Sequence, residues 1–134
     1  MGFETGVSLK ACSQQMVQNL RLLDNTVGVE AVESTFSTIQ DCFIVGKNPA
    51  FSGAGVELTS CLDVLVKNNQ IMDADQGCSS TDTASTNGNS FVANYIANCT
   101  TGLELGSGDK YQGNVATGCA TDFSRGIMVG LENG

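Results

Sequence analysis

The sequence predicts an all-α fold, a disulfide-stapled bundle of four to five short helices joined by long Gly/Ser/Thr-rich loops. Three observations predict it. Apolar residues recur three and four apart along much of the chain, which is the spacing of one helix face. Cysteines at 12, 42, 61, 78, 99 and 119 lie on or beside those apolar faces, where one helix meets the next. Gly, Ser, Thr and Asn make up 51 of 134 residues, so large side chains are scarce and covalent staples would decide whether the chain stays folded.

Between Gly6 and Leu23 the residues Leu9, Cys12, Met16, Leu20 and Leu23 form the first apolar stripe, with Gln14, Gln15, Gln18, Asn19 and Arg21 between them. Asp24-Asn25 interrupts it. Val29, Val32, Phe36, Ile39 and Phe43 then give the most regular helical spacing in the chain, ended by Gly46 and Asn48-Pro49. Leu58, Cys61, Leu62, Leu65 and Met72 mark a third helix, although Val64-Leu65-Val66 also reads as a strand. A polar stretch pinned by Cys78 comes next, and its Ser/Thr-rich part, 79–90, is a surface loop open to O-glycosylation. Ser90 caps a short helix carrying Phe91, Val92, Tyr95, Ile96 and Cys99. Glycines weaken the helical pattern over 100–118, yet Tyr111, Val115, Cys119, Phe123, Ile127 and Leu131 stand four apart, so the last helix firms up near Cys119.

The length suits one domain, 1–134. An even number of cysteines in a short acidic chain predicts three disulfides among Cys12, Cys42, Cys61, Cys78, Cys99 and Cys119, and spacing does not choose among the fifteen pairings. Disulfides imply an oxidising compartment, so the chain is expected to be extracellular, with its signal peptide already removed because 1–9 has no apolar stretch of that kind. The net charge of −8, with six basic residues scattered singly, disfavours nucleic acid and anionic membrane surfaces. No apolar run is long enough to span a bilayer.

Histidine is absent, so neither a Ser-His-Asp nor a Cys-His nucleophile system can be built. Glu30, Glu33, Asp41, Glu57 and Asp63 qualify as acids for a carboxylate pair only as any acidic residue does, and no catalytic residue or cofactor is expected. Asp73-Ala74-Asp75-Gln76-Gly77 opens like a calcium loop, but the glycine stands one place early and Ala84 sits where the closing acid belongs. No Cys-x-x-Cys pair exists, and no metal site is expected. Gly106-Ser107-Gly108-Asp109-Lys110 lacks the remainder of a phosphate-binding loop and reads as a turn. Asn98-Cys99-Thr100 is an N-glycosylation sequon at Asn98.

The composition resembles that of the helical end domains of silk proteins. It implies a secreted, non-enzymatic structural or self-assembling component of an extracellular material, working as a homo-oligomer or with matrix-type partners. The alternative is a carrier or binding module for a small apolar, lipid-like ligand enclosed by the helices and lined by Met16, Phe36, Phe43, Met72, Phe91 and Phe123.

Overall fold

A computed structural model describes residues 2–46, 53–81 and 88–129. The expected helix end at Asn48-Pro49, residues 82–87 of the Ser/Thr-rich loop and Leu131 lie outside them. The described chain contains no helix. It runs as seventeen short strands that wind into a parallel β-solenoid of about five turns. Each turn, or rung, holds three strands: β1 (Thr5–Lys10), β2 (Met16–Gln18) and β3 (Arg21–Asn25); then β4 (Val27–Val32), β5 (Thr38–Gln40) and β6 (Phe43–Gly46). Next come β7 (Ala54–Thr59), β8 (Leu65–Lys67) and β9 (Gln70–Met72); then β10 (Gln76–Thr81), β11 (Ser90–Val92) and β12 (Tyr95–Ala97). The fifth rung is β13 (Thr101–Glu104), β14 (Lys110–Gln112) and β15 (Val115–Thr117), and β16 (Thr121–Ser124) and β17 (Ile127–Met128) begin a sixth. Like strands stack into three parallel sheets, β1-β4-β7-β10-β13-β16, β2-β5-β8-β11-β14-β17 and β3-β6-β9-β12-β15.

The expected helix bundle is therefore overturned, and the reason is visible in the second apolar stripe. Of Val29, Val32, Phe36, Ile39 and Phe43, only Val29 and Ile39 are buried, and Phe36 is 57% exposed. The inward set is Val29, Ala31, Ile39 and Ile44, which alternates within each strand and is reset at each corner. A strand, a corner and another short strand place apolar residues three to five apart, which imitates a helical period.

Register turns those inward residues into columns that run along the solenoid. Val7, Val29, Val56, Cys78, Leu103 and Phe123 occupy one position on successive rungs. Val17, Ile39, Val66, Phe91 and Tyr111 form a second, and Leu22, Ile44, Ile71, Ile96 and Ala116 a third. Columns of like side chains fill the interior, and the rings of Tyr111 and Phe123 stack at 5.4 Å towards the C-terminal end. Gly55 is the second residue of β7, where the chain passes so close to the neighbouring wall that a Cβ would lie 2.3 Å from Ile71 Cγ2 and 2.7 Å from the Gly77 carbonyl oxygen.

The corners are made by residues of positive φ. Among the described residues, fourteen other than glycine have φ between 49° and 60°. They recur at equivalent places: Ala11, Glu33 and Ser60; Gln14, Phe36 and Asp63; Asn19, Asp41, Asn68 and Ala93; Asp73 and Asn98. The residue after most corners turns inward, and three of these form a buried ladder, Asn69, Asn94 and Asn114. Asn94 Oδ1 accepts from the Asn69 backbone N–H (3.1 Å) and from Asn69 Nδ2 (3.0 Å), while Asn94 Nδ2 donates to the Val66 carbonyl (3.0 Å) and to Asn114 Oδ1 (3.0 Å). Asn89 and Asp109 build a second ladder, in which Asp109 Oδ1 accepts from both Asn89 nitrogens at 3.0 Å and Oδ2 accepts from the Gly106 N–H at 2.9 Å. No buried side-chain nitrogen or oxygen among the described residues lacks a partner.

On the outer side of the first sheet, Glu30 and Glu57 face outward at paired positions. Burial holds the Glu57 carboxyl above the usual range, and the neighbouring Glu30 charge adds to it. Its proton is therefore bound more tightly in the folded chain than in the unfolded one. The associated stability is full below about pH 4, where the unfolded carboxyl is also protonated, and is lost as pH rises through the folded value.

This packing can be tested at three positions. Gly55→Ala should lower unfolding free energy by about 1–3 kcal/mol in urea titration, as overpacking of a filled interior does. Asn94→Ala should cost about 3 kcal/mol in the same assay, because it strands buried donors and acceptors on Asn69, Val66 and Asn114. Glu57→Gln should unfold at higher urea than the parent at pH 7, with the difference closing near pH 4; a difference independent of pH would contradict the assigned cause.

Candidate functional site

The six cysteines, expected as disulfide staples, are present as free thiols, and five of them directly follow a corner residue. Cys12, Cys42, Cys61, Cys99 and Cys119 each come directly after a positive-φ residue, namely Ala11, Asp41, Ser60, Asn98 and Gly118. From that position the thiol reaches the carbonyl two residues back: Cys42 to Gln40 at 3.3 Å, Cys61 to Thr59 at 3.5 Å, Cys99 to Ala97 at 3.4 Å and Cys119 to Thr117 at 3.7 Å. Ser34 and Ser37 make the same bond, to Val32 at 3.3 Å and Thr35 at 3.1 Å. A small side chain with one donor is what the corner requires, and Cys and Ser both supply it.

Location separates the thiols. Cys12 and Cys61 share a column but Ser34 stands between them, its Oγ 3.4 Å from Cys12 Sγ. Cys42 heads the asparagine ladder: its N–H donates to Asn69 Oδ1 at 3.0 Å, and its neighbours along the column are Leu20 and Asn69. Cys78 lies in an inward column between Val56 and Leu103, fully enclosed, and burial drives its thiol far up from the ordinary value. Cys99 and Cys119 alone stand at one position on consecutive rungs, because β12 pairs β15 and β13 pairs β16 with the same offset on either side of them. The Cys119 thiol lies beside that of Cys99.

Cys99 is buried and its thiol is pushed up to about 11, chiefly by loss of solvent; a backbone hydrogen bond to Ala74 opposes this, and Cys119 and Asp73 reinforce it. Cys119 is only half-buried. Beside the pair opens a surface cavity of about 340 Å³ lined by Asn98, Cys99, Thr100, Gly118 and Ala120. Asn98, the expected glycosylation residue, is an exposed corner residue with φ of 55° at the rim of that cavity.

The residues expected to line an apolar ligand do not meet around a common space. Phe91 is in the core and Phe123 packs against it, whereas Met16 and Phe36 are each 57% exposed. Phe43 and Met72 sit on outward positions of the third sheet, and the Arg21 guanidinium covers the Phe43 ring at 5.3 Å. A second surface cavity, about 470 Å³, runs past Asn19, Arg21, Asp41, Phe43, Asn68 and Gln70. Of the acids considered for catalysis, Glu30 and Glu57 are neighbours on the first sheet, and Glu33, Asp41 and Asp63 are corner residues. Asp73, the first acid of the calcium-like stretch, is a corner too, and no group of three or more His, Cys, Asp or Glu side chains among the described residues is arranged to hold a metal ion. No helix among those residues is long and apolar enough to cross a membrane.

The sequence suggests a repetition at Cys61-Leu62-Asp63, Cys99-Thr100-Thr101 and Cys119-Ala120-Thr121 that is too short to establish a repeat, and the structure makes Cys99 and Cys119 equivalent. The signal was present as Asn98-Cys99-Thr100-Thr101-Gly102 and Gly118-Cys119-Ala120-Thr121-Asp122, two copies of one corner leading into one strand start, twenty residues apart.

No curated protein and no solved structure gives a significant match to the chain. One family model does match, over residues 1–129, and its description is periplasmic copper-binding protein (NosD). The readings as a structural, self-assembling material protein and as a helix-enclosed lipid carrier are both overturned by this match and by a solenoid that has no helices among its described residues. The expected extracellular location agrees in its broad sense, outside the cytoplasm, with a family described as periplasmic. Matched over nearly its whole length, the chain belongs to the NosD family.

Proposed function

We propose that this chain is a non-enzymatic β-solenoid that works outside the cytoplasm and binds Cu(I) through the thiols of Cys99 and Cys119. The observation that carries the reading is the stacking of these two thiols on consecutive rungs, Cys99 being among the residues that line an open cavity, in a chain without a single imidazole. The donor set fits the metal by its chemistry. Thiolates are soft ligands that favour Cu(I), and the hard cations that prefer carboxylate and water would gain little here. The family description points to the same element.

The chain's own groups set the conditions of binding. A thiol as reluctant to ionise as Cys99 gives up its proton only to a strongly held metal, so affinity falls as pH drops. The half-buried Cys119 provides the approach from solvent, and the corner carbonyls of Ala97 and Thr117 orient both sulfurs. Cys78 is too enclosed to be reached, and Cys12, Cys42 and Cys61 each lack a cysteine at the same position on the next rung.

Competition against a chromogenic Cu(I) chelator, under anaerobic reducing conditions, should give one Cu(I) per chain. Cys99→Ser and Cys119→Ser should each weaken it by more than the roughly 10–100-fold that loss of an outer hydrogen-bond partner costs, while Cys12→Ser and Cys61→Ser leave it unchanged. Serine makes the same bond to the carbonyl two residues back at positions 34 and 37, so the variants should keep the parent's β-sheet spectrum. No Cu(I) retained by the parent, or affinity in both Cys99→Ser and Cys119→Ser equal to the parent's, would overturn the reading.

A further inference from the structure

We infer that Cys99 and Cys119 form a reversible disulfide across two rungs of the solenoid, and that this bridge closes the thiol pair to other ligands. Only the second half rests on the Cu(I) reading; the bridge itself comes from register. Residues at one position on adjacent parallel strands lie about 4.8 Å apart, inside the roughly 4.4–6.8 Å between Cα atoms that a disulfide spans. Pairing is in register both before the two cysteines, at Ala97 and Thr117, and after them, at Thr101 and Thr121, so neither strand must slip for the bond to form. Their side chains already point to the same interior corner and lie side by side.

The other thiols lack this relation. Cys12 and Cys61 stand two rungs apart, about twice the strand spacing, with Ser34 between them. Cys42 is stacked between Leu20 and Asn69, and Cys78 between Val56 and Leu103. The fold therefore selects one bridge where the cysteine count suggested three.

Exposure sets the order of events with a low-molecular-weight disulfide as oxidant. The more accessible Cys119 sulfur attacks one sulfur of the small disulfide, forming a mixed disulfide and releasing one small thiol. The Cys99 sulfur then attacks Cys119 Sγ, the protein bridge forms and the second small thiol leaves. Two protein thiols lose two hydrogens and two electrons, and the small disulfide gains them. An excess of dithiol reverses the exchange.

The test equilibrates the folded protein with oxidised glutathione, alkylates it in denaturant and measures intact mass before and after reduction. Four alkylated thiols are expected, rising to six on reduction. Cys78→Ser should keep the bridge, leaving three alkylated thiols; Cys99→Ser should hold Cys119 as the mixed disulfide with glutathione, leaving four alkylated thiols, and Cys119→Ser should show all five remaining thiols alkylated. Six alkylated thiols in the equilibrated parent, or a bridge that survives Cys119→Ser, would overturn the inference. Chelator competition is run on both forms. A bridge that forms in a protein whose reduced form holds no Cu(I) defeats the copper reading alone, and Cu(I) binding by a protein that never bridges defeats this inference alone.

Discussion

The corner is the interaction on which the rest of this molecule depends. A parallel solenoid must turn sharply between its walls on every rung, and here it does so at single residues held in the left-handed region. For L-residues that conformation costs roughly 1–2 kcal/mol, which Asn and Asp tolerate best. Many corners persist because the residue after them is over-determined: its side chain turns inward and bonds to backbone of its own rung or the one before, while Val64 and Ala74 are held there by burial alone. Serine, cysteine, asparagine and aspartate all appear in that place, and each closes carbonyl or N–H groups that a buried bend would otherwise leave unpaired. With the corners fixed, the strands between them have one register, and that register generates the columns of valine, isoleucine and leucine.

A consequence for the thiols is that their chemistry is secondary to their fit. Cys42 takes the place that asparagine holds on the next three rungs, and its sulfur stands 4.0 Å from the Val17 carbonyl, the acceptor equivalent to those reached by the asparagine amides. Such a residue belongs to the packing of the wall. Where two such cysteines fall on consecutive rungs, the same geometry brings two sulfurs together, and a thiol pair arises from a structural repeat without any added element. The acidic surface and the thiol pair are in this sense separate features, since Glu30 and Glu57 lie on the outer face of the first sheet.

Some of this is legible in the residues. The isolation of the basic side chains and the impossibility of imidazole chemistry stand on composition. The fold is far harder to read, although a signal for it exists: Gly6-Val7-Ser8-Leu9, Gly28-Val29-Glu30-Ala31, Gly55-Val56-Glu57-Leu58, Gly77-Cys78-Ser79-Ser80 and Gly102-Leu103-Glu104-Leu105 repeat one strand start, 22, 27, 22 and 25 residues apart. The unequal intervals hide the repeat, because extra residues enter at the loops while the strands keep their length. Helical spacing misleads because Leu9, Cys12 and Met16 come from a strand, a corner and a second strand, which no helix face contains. The cysteines suggest staples by number, yet only their position in the rung tells which of them can meet.

Above all, this chain is a solenoid held by hydrogen-bonded corners and not a bundle held by disulfides. Far-ultraviolet circular dichroism of the protein in excess reductant, carried through urea unfolding, tests this most directly. A β-sheet spectrum that survives full reduction and is lost in a cooperative transition is the predicted result. A helical double minimum, or collapse of the ordered spectrum as soon as the thiols are reduced, would contradict it.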